Sequence, residues 1–162
     1  MYVLYTEQND VVDRFVEQTL VDHKAIRITT TEQHGTLSQG EKLTTLALEL
    51  TSTIDSSYMF FKKQQLELAL VIFAPRDLEK INHTVLSAVT TDSVYFNSVT
   101  FNLDTNWMLG SVQAVLKILK SADKILNRNA IDNNSVSMNI PAGLYVQFPW
   151  FAHRIGLKVY DV

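Results

Sequence analysis

The sequence predicts an α+β fold, a largely antiparallel sheet with helices mainly on one face. Three observations carry that expectation. Two runs, LTTLALELTST and YMFFKKQQLELALVIFA, alternate leucines with other residues and flank a polar turn at Asp55, Ser56 and Ser57. A run with helical spacing, RDLEKINHTVLSAV, follows directly after Pro75. A longer one runs from about Trp107 to about Arg128. Together they describe a long antiparallel hairpin feeding a helix that packs back on its apolar face. A doubly wound α/β sheet, flavodoxin-like or thioredoxin-like, is the second reading.

In chain order, Tyr2 to Tyr5 is a short apolar strand candidate. Asn9 or Asp10 can cap a helix in which Val12, Phe15, Val16, Thr19 and Leu20 recur at helical spacing. Ala25 to Thr30 reads as a strand with Ile26 and Ile28 inward, and Thr31 to Gly40 as an exposed polar loop. In the hairpin, Leu46, Leu48 and Leu50 share one face of the first arm, and Leu66, Leu68, Leu70 and Ile72 one face of the second. Ser93 to Leu103 returns to strand, with Tyr95, Val99, Phe101 and Leu103 on one parity that Asn97 interrupts. Asp104, Thr105 or Asn106 can cap the long helix, whose apolar stripe includes Met108, Val112, Val115 and Leu119. Asn127 to Ser135 is an Asn-rich turn. The tail reads as a strand (Val136 to Ile140), a Pro141–Gly143 turn, a strand (Leu144 to Phe148), a break at Pro149–Trp150 and a last strand (Ile155 to Tyr160).

Composition sets bounds. A chain of 162 residues with 46% hydrophobic and 19% charged residues fits one globular domain spanning 1–162. A net charge of −3 gives no global attraction to nucleic acid or an anionic membrane. With no cysteine, thiolate chemistry and Cys-based metal or redox sites are excluded. No secretion signal or membrane-length apolar run is visible, so the expectation is a cytoplasmic protein.

The chemistry-bearing residues form no catalytic signature. His23, His34, His83 and His153 stand in no HExxH or His-x-His pair, so no metal site is expected. The strand-to-helix turn after Tyr5 has a glutaredoxin- or flavodoxin-like rhythm, but Glu7 and Asp10 there would repel a phosphate. Asp10 with Asp13, and Asp77 with Glu79, read as first-turn residues that complement helix dipoles. Lys117, Lys120, Lys124 and Arg128 form a basic stripe, most simply the wet face of an amphipathic helix. Two aromatic groups, Tyr58, Phe60 and Phe61 beside Lys62 and Lys63, and Phe148, Trp150 and Phe151, are the candidate protein-interaction residues. No catalytic, cofactor-binding or metal residue is assigned, and no cofactor is expected.

The order of helix, strand, long hairpin, helix after a proline, strand and closing strands resembles the layout of siphophage tail terminator (tail completion) proteins. The likeness covers roughly Val12 to Leu103 and the final strands, with LTTLALELT and QLELALVIFAPRDLEKINHTVL nearest in texture. It implies a non-enzymatic structural protein made in the host cytoplasm and incorporated into the virion. Such a protein assembles with itself as a ring, in the expected case a hexamer, that caps the tail tube and contacts head-completion proteins. It implies no membrane and no sequence-specific nucleic acid. Two other classes stay open: a small α/β cofactor-binding enzyme domain with a pocket near Tyr5 to Asp10, and a small inhibitor or regulator docking on a host protein.

Overall fold

The structure, a computed structural model, describes residues 1–5, 8–29, 46–53, 66–97, 105–120 and 141–162. β1 (Tyr2–Tyr5) is buried at all four positions, the mark of a strand covered on both faces. Asn9 then caps α1 (Asp10–Thr19), its Oδ1 accepting from the main-chain N–H of Val11 at 2.8 Å and of Val12 at 3.3 Å. A 3-10 turn at Val21–His23 leads through Lys24, at φ 50°, into β2 (Ile26–Thr29). Residues 46–53 are helical (α2), and β3 (Leu68–Ile72) is buried throughout. Beyond Pro75 lie a 3-10 turn at Leu78–Lys80 and α3 (His83–Ala88), capped by Asn82, whose side chain accepts from Val85 N–H at 3.1 Å. β4 (Ser93–Phe96), β5 (Trp107–Ser111), helical residues 112–120 (α4), α5 (Pro141–Arg154) and β6 (Lys158–Asp161) complete the described elements.

The strands form one sheet in the order β2-β1-β3-β5-β4-β6. β1 runs parallel to β2 and β3, β6 runs parallel to β4, and β5 is antiparallel to both its neighbours. Alternate side chains build two cores. Leu4, Ala69, Val71, Phe96 and Met108 meet α2, α4 and α5 on one face. Val3, Tyr5, Leu70, Ile72 and Leu109 meet α1 and α3 on the other.

The chain is therefore α+β in class, a mixed sheet with helices, while two finer expectations are corrected. The sheet is not largely antiparallel, since three of the five neighbouring pairs among the described strands are parallel. Helices cover both faces and not mainly one, because both parities of the central strands are apolar and each needs cover. The hairpin is overturned as well. β3 pairs with β1 and β5, while Leu46, Ala47 and Leu50 dock α2 at helical spacing and Leu48 points out, 67% exposed. Within β3 the expected parity holds, with Leu68, Leu70 and Ile72 on one face.

Two more segments differ. Trp107–Ser111 is a buried strand and not the start of the long helix. Gly110 suits the tight packing there, since a Cβ would lie 3.1 Å from the carbonyl oxygen of Ser93 on β4. The helix cap is Ser111, whose Oγ accepts from Ala114 N–H at 3.1 Å and donates to Thr91 O at 2.8 Å. Thr105 and Asn106, two of the expected caps, precede the strand instead. At the other end, Pro141–Arg154 forms α5 in place of a turn, strand and break. Pro149 removes one main-chain hydrogen bond from that helix, and burial of Phe148, Phe151 and Ala152 against the sheet offsets the loss. The Thr31–Gly40 loop, the Asp55–Ser57 turn, the continuation of strand to Leu103, the Asn127–Ser135 turn and the Val136–Ile140 strand lie outside the described residues, as does His34.

Candidate docking surfaces

Of the six candidate interaction residues, Tyr58, Phe60 and Phe61 lie outside the described residues. The structure separates the other three. Phe148 and Phe151 belong to the core, with Phe148 fully buried and its ring centroid 5.3 Å from that of Phe73. They are not surface residues: on α5 they point toward the sheet, a rotation that the expected strand hid. Trp150 points the other way and is 55% exposed. Its ring lies 5.3 Å from the Phe151 ring, and the Arg154 guanidinium carbon sits 5.1 Å above its centroid. One turn apart on a helix, Trp150 and Arg154 form an outward apolar-and-cationic pair.

The sheet ends in two edge strands among the described residues. On β6, Lys158 N–H donates to Asp92 O and Val162 N–H to Phe96 O, so the main-chain groups of Val159 and Asp161 face away from β4. Tyr160, 44% exposed, stacks on Tyr95 with ring centroids 4.9 Å apart. Burial, and then the neighbouring Tyr160, push the Tyr95 phenol up from its ordinary pKa. Lys158 approaches Asp92 at 3.8 Å; the Thr90 hydroxyl bonded to Asp92, and then Lys158, hold that carboxyl below the usual range.

On β2, at the opposite edge, Ile26 N–H donates to Met1 O. With Ile26 and Ile28 turned to β1, the main-chain groups of Arg27 and Thr29 face outward. Ile26, expected inward, is 44% exposed because no strand described in the sheet lies beyond β2. Arg27 reaches Asp13 at 3.1 Å and Glu17 at 3.2 Å on α1, and the Tyr5 hydroxyl donates to Asp13 at 2.8 Å. Burial, followed by the bond to Asp13, pushes Tyr5 up to about 12. The hydrogen bond that the Arg27 guanidinium donates to Glu17 raises the Arg27 pKa from its ordinary value. Asp13 thus serves this cluster on β1 and β2 beyond its place in the first turn of α1. A cavity of about 380 Å³ opens beside the edge, lined by Arg27, Ile28 and Thr29 of β2 and Glu49, Ser52 and Thr53 of α2.

Among the described residues, neither this cavity nor a second one of about 540 Å³ is lined by Tyr5 or by residues 8–10, where the enzyme reading expects a cofactor pocket, and Thr6 and Glu7 lie outside the described residues. The second lies between α1 and α3, with Phe15, Ile81 and Leu86 as its apolar lining and Asp22, His23, Glu79 and His83 around them. Among the described residues, no group of three His, Asp or Glu side chains is placed to hold a metal ion. No helix among them is long and apolar enough to cross a membrane.

No family model, curated protein or solved structure matches this chain. The functional reading therefore rests on its own residues.

One polar cluster escaped the sequence reading. Asp77, at φ 58°, accepts on Oδ2 from Asn97 Nδ2 at 3.4 Å and Asn106 Nδ2 at 3.3 Å, and its carbonyl accepts from Trp107 Nε1 at 3.1 Å. Asn97 Oδ1 accepts in turn from the N–H groups of Asn106 (2.7 Å) and Trp107 (3.0 Å). The cluster ties the ends of β3 and β4 to the start of β5, where the expected role of Asp77 was to complement a helix dipole. The available signal was Asn97, a polar residue interrupting an apolar parity. Lys117 and Lys120 are exposed on α4, as the amphipathic reading expects; Lys124 and Arg128 are outside the described residues.

Proposed function

We propose that this chain is a non-enzymatic assembly protein that docks copies of itself, and then other protein subunits, through the outer face of α5. The observation that carries the reading is Trp150. A tryptophan with more than half its surface wet, steadied by Arg154 and turned away from both cores, is of the residue type that dominates interface centres. The open edge of β6, with Tyr160 half exposed beside it, adds main-chain donors and acceptors at the same end of the sheet.

The specific form of this reading is a tail terminator ring, a cap on the tail tube that contacts head-completion proteins. The strand–proline–capped-helix order of β3, Pro75 and α3 supports it. The first arm of the hairpin, which also carried that likeness, is helical where described and gives it no support. A ring requires a heterologous contact that closes, so the expected assembly has a fixed copy number and not an open series.

The test is Trp150→Ser, read by mass in solution and by thermal melting. The expected outcome is a fall in mass with a melt close to wild type, because an exposed side chain contributes within about 0.5 kcal/mol to folding. A sharply lowered melt with unchanged mass would instead make Trp150 a packing residue and end the proposal.

A further inference from the structure

The β2 edge goes beyond that reading, since it lies at the far end of the sheet from β6. Three features meet there. The outward main-chain groups of Arg27 and Thr29 are a row of donors and acceptors that one more strand can pair. The cavity of about 380 Å³ separates that row from Glu49, Ser52 and Thr53 on α2, so the helix forms a wall beside the open edge. Among the described residues, the charged side chains that line the cavity or pair with Arg27 are unbalanced: Asp13 and Glu17 on one side of the sheet and Glu49 on the other stand against Arg27, which both α1 carboxylates already engage.

We propose that the β2 edge binds an extended, basic peptide segment of a partner protein by strand addition. Main-chain bonds to Arg27 and Thr29 supply register-fixing contacts that any sequence can make. Selection comes from the side chains. Successive residues of a strand point to opposite faces, so lysines on one parity reach Glu49 and those on the other reach Glu17 and Asp13. An acidic segment meets the same carboxylates and is repelled. A second copy of this chain is the poorer occupant, because its own β2 brings an α2 wall and a like-charged edge with it.

The experiment is fluorescence anisotropy of the full chain with a labelled Thr-Lys repeat peptide, and with its Thr-Glu counterpart. Thr29→Pro is the decisive variant. It removes an outward N–H while leaving Ile26 and Ile28, which face β1, untouched. Expected is binding of the Thr-Lys peptide that weakens with salt, at least about tenfold preference over Thr-Glu, and loss of binding in Thr29→Pro with an unchanged melt. If that variant fails to fold, Glu49→Lys keeps the question open to test and is expected to weaken the Thr-Lys peptide at least about tenfold. Equal binding of both peptides, no binding, or indifference to Glu49→Lys and Thr29→Pro overturns the proposal. So does a wild-type mass that Thr29→Pro lowers without peptide, which would assign the edge to a second copy. Trp150→Ser is expected to leave peptide binding unchanged, which keeps this test separate from that of the α5 surface.

Discussion

Residues 46–53 and residues 66–73 have nearly the same texture, LALELTST against LELALVIF, and opposite structures. The first is helical; the core of the second is the buried strand β3. Alternating leucines do not separate the two outcomes. What does is the other parity. In β3 the residues between the leucines are Ala69 and Val71, both buried against the opposite layer. In the first segment they are Ala47 and then three polar residues, Glu49, Thr51 and Thr53. A sheet covered on both faces has no solvated side for them. The same residues suit a helix, where Leu46, Ala47 and Leu50 line one stripe. Thr51 and Thr53 return their hydroxyls to the carbonyls of Ala47 and Glu49, each at 2.8 Å.

The hardest way to break that comparison is a charge in each segment. Val71→Asp places an unpaired carboxylate in a closed core at a cost of several kcal/mol, against a total stability of about 5–15 kcal/mol. Loss of a cooperative melt is expected, while Leu48→Asp should melt close to wild type. Equal midpoints in a denaturant titration would mean that residues 46–53 and β3 share one environment after all. A gentler pair sharpens the helical assignment. Leu50→Ala is expected to cost about 2–5 kcal/mol through the cavity it leaves, and Leu48→Ala no more than about 0.5 kcal/mol. In a strand the two would lie on one face, and their costs would be similar.

Alkaline titration gives the smallest effect and tests the strand side, in β1 beside β3. The folded pKa of Tyr5, about 12, is above the ordinary value of 10, so folding favours the protonated phenol. Its contribution is fully present below pH 10 and is lost as pH rises from 10 toward 12. Tyr5→Phe should flatten stability across that window. An unchanged slope in the variant would show that the buried Tyr5 phenol does not govern it.

How much of this was legible depended on whether a local rule or a neighbour decided the outcome. Asn9 and the Val12/Val16 spacing are local, and α1 was readable from them, as was β1 from its apolar run. The parity of Leu68, Leu70 and Ile72 was readable too, but the assignment of Leu46, Leu48 and Leu50 turned on the second helical layer, which no window of sequence contains. Trp107–Ser111 has apolar residues that fit either period, and Gly110, a poor helix residue, was the sign that it packs closely on β4. On α5, the strand reading placed Phe148, Trp150 and Phe151 together as surface. One turn of helix instead sends the two phenylalanines inward and leaves Trp150, of the three, to the proposed docking role.

That role is tested most directly by light scattering of the wild-type chain over a wide concentration range. The expected result is a mass that rises from the monomer's and levels at a fixed multiple of it, as a closed ring requires. A mass that stays at that of one chain at every concentration would contradict self-assembly, and one that climbs without a plateau would contradict the ring.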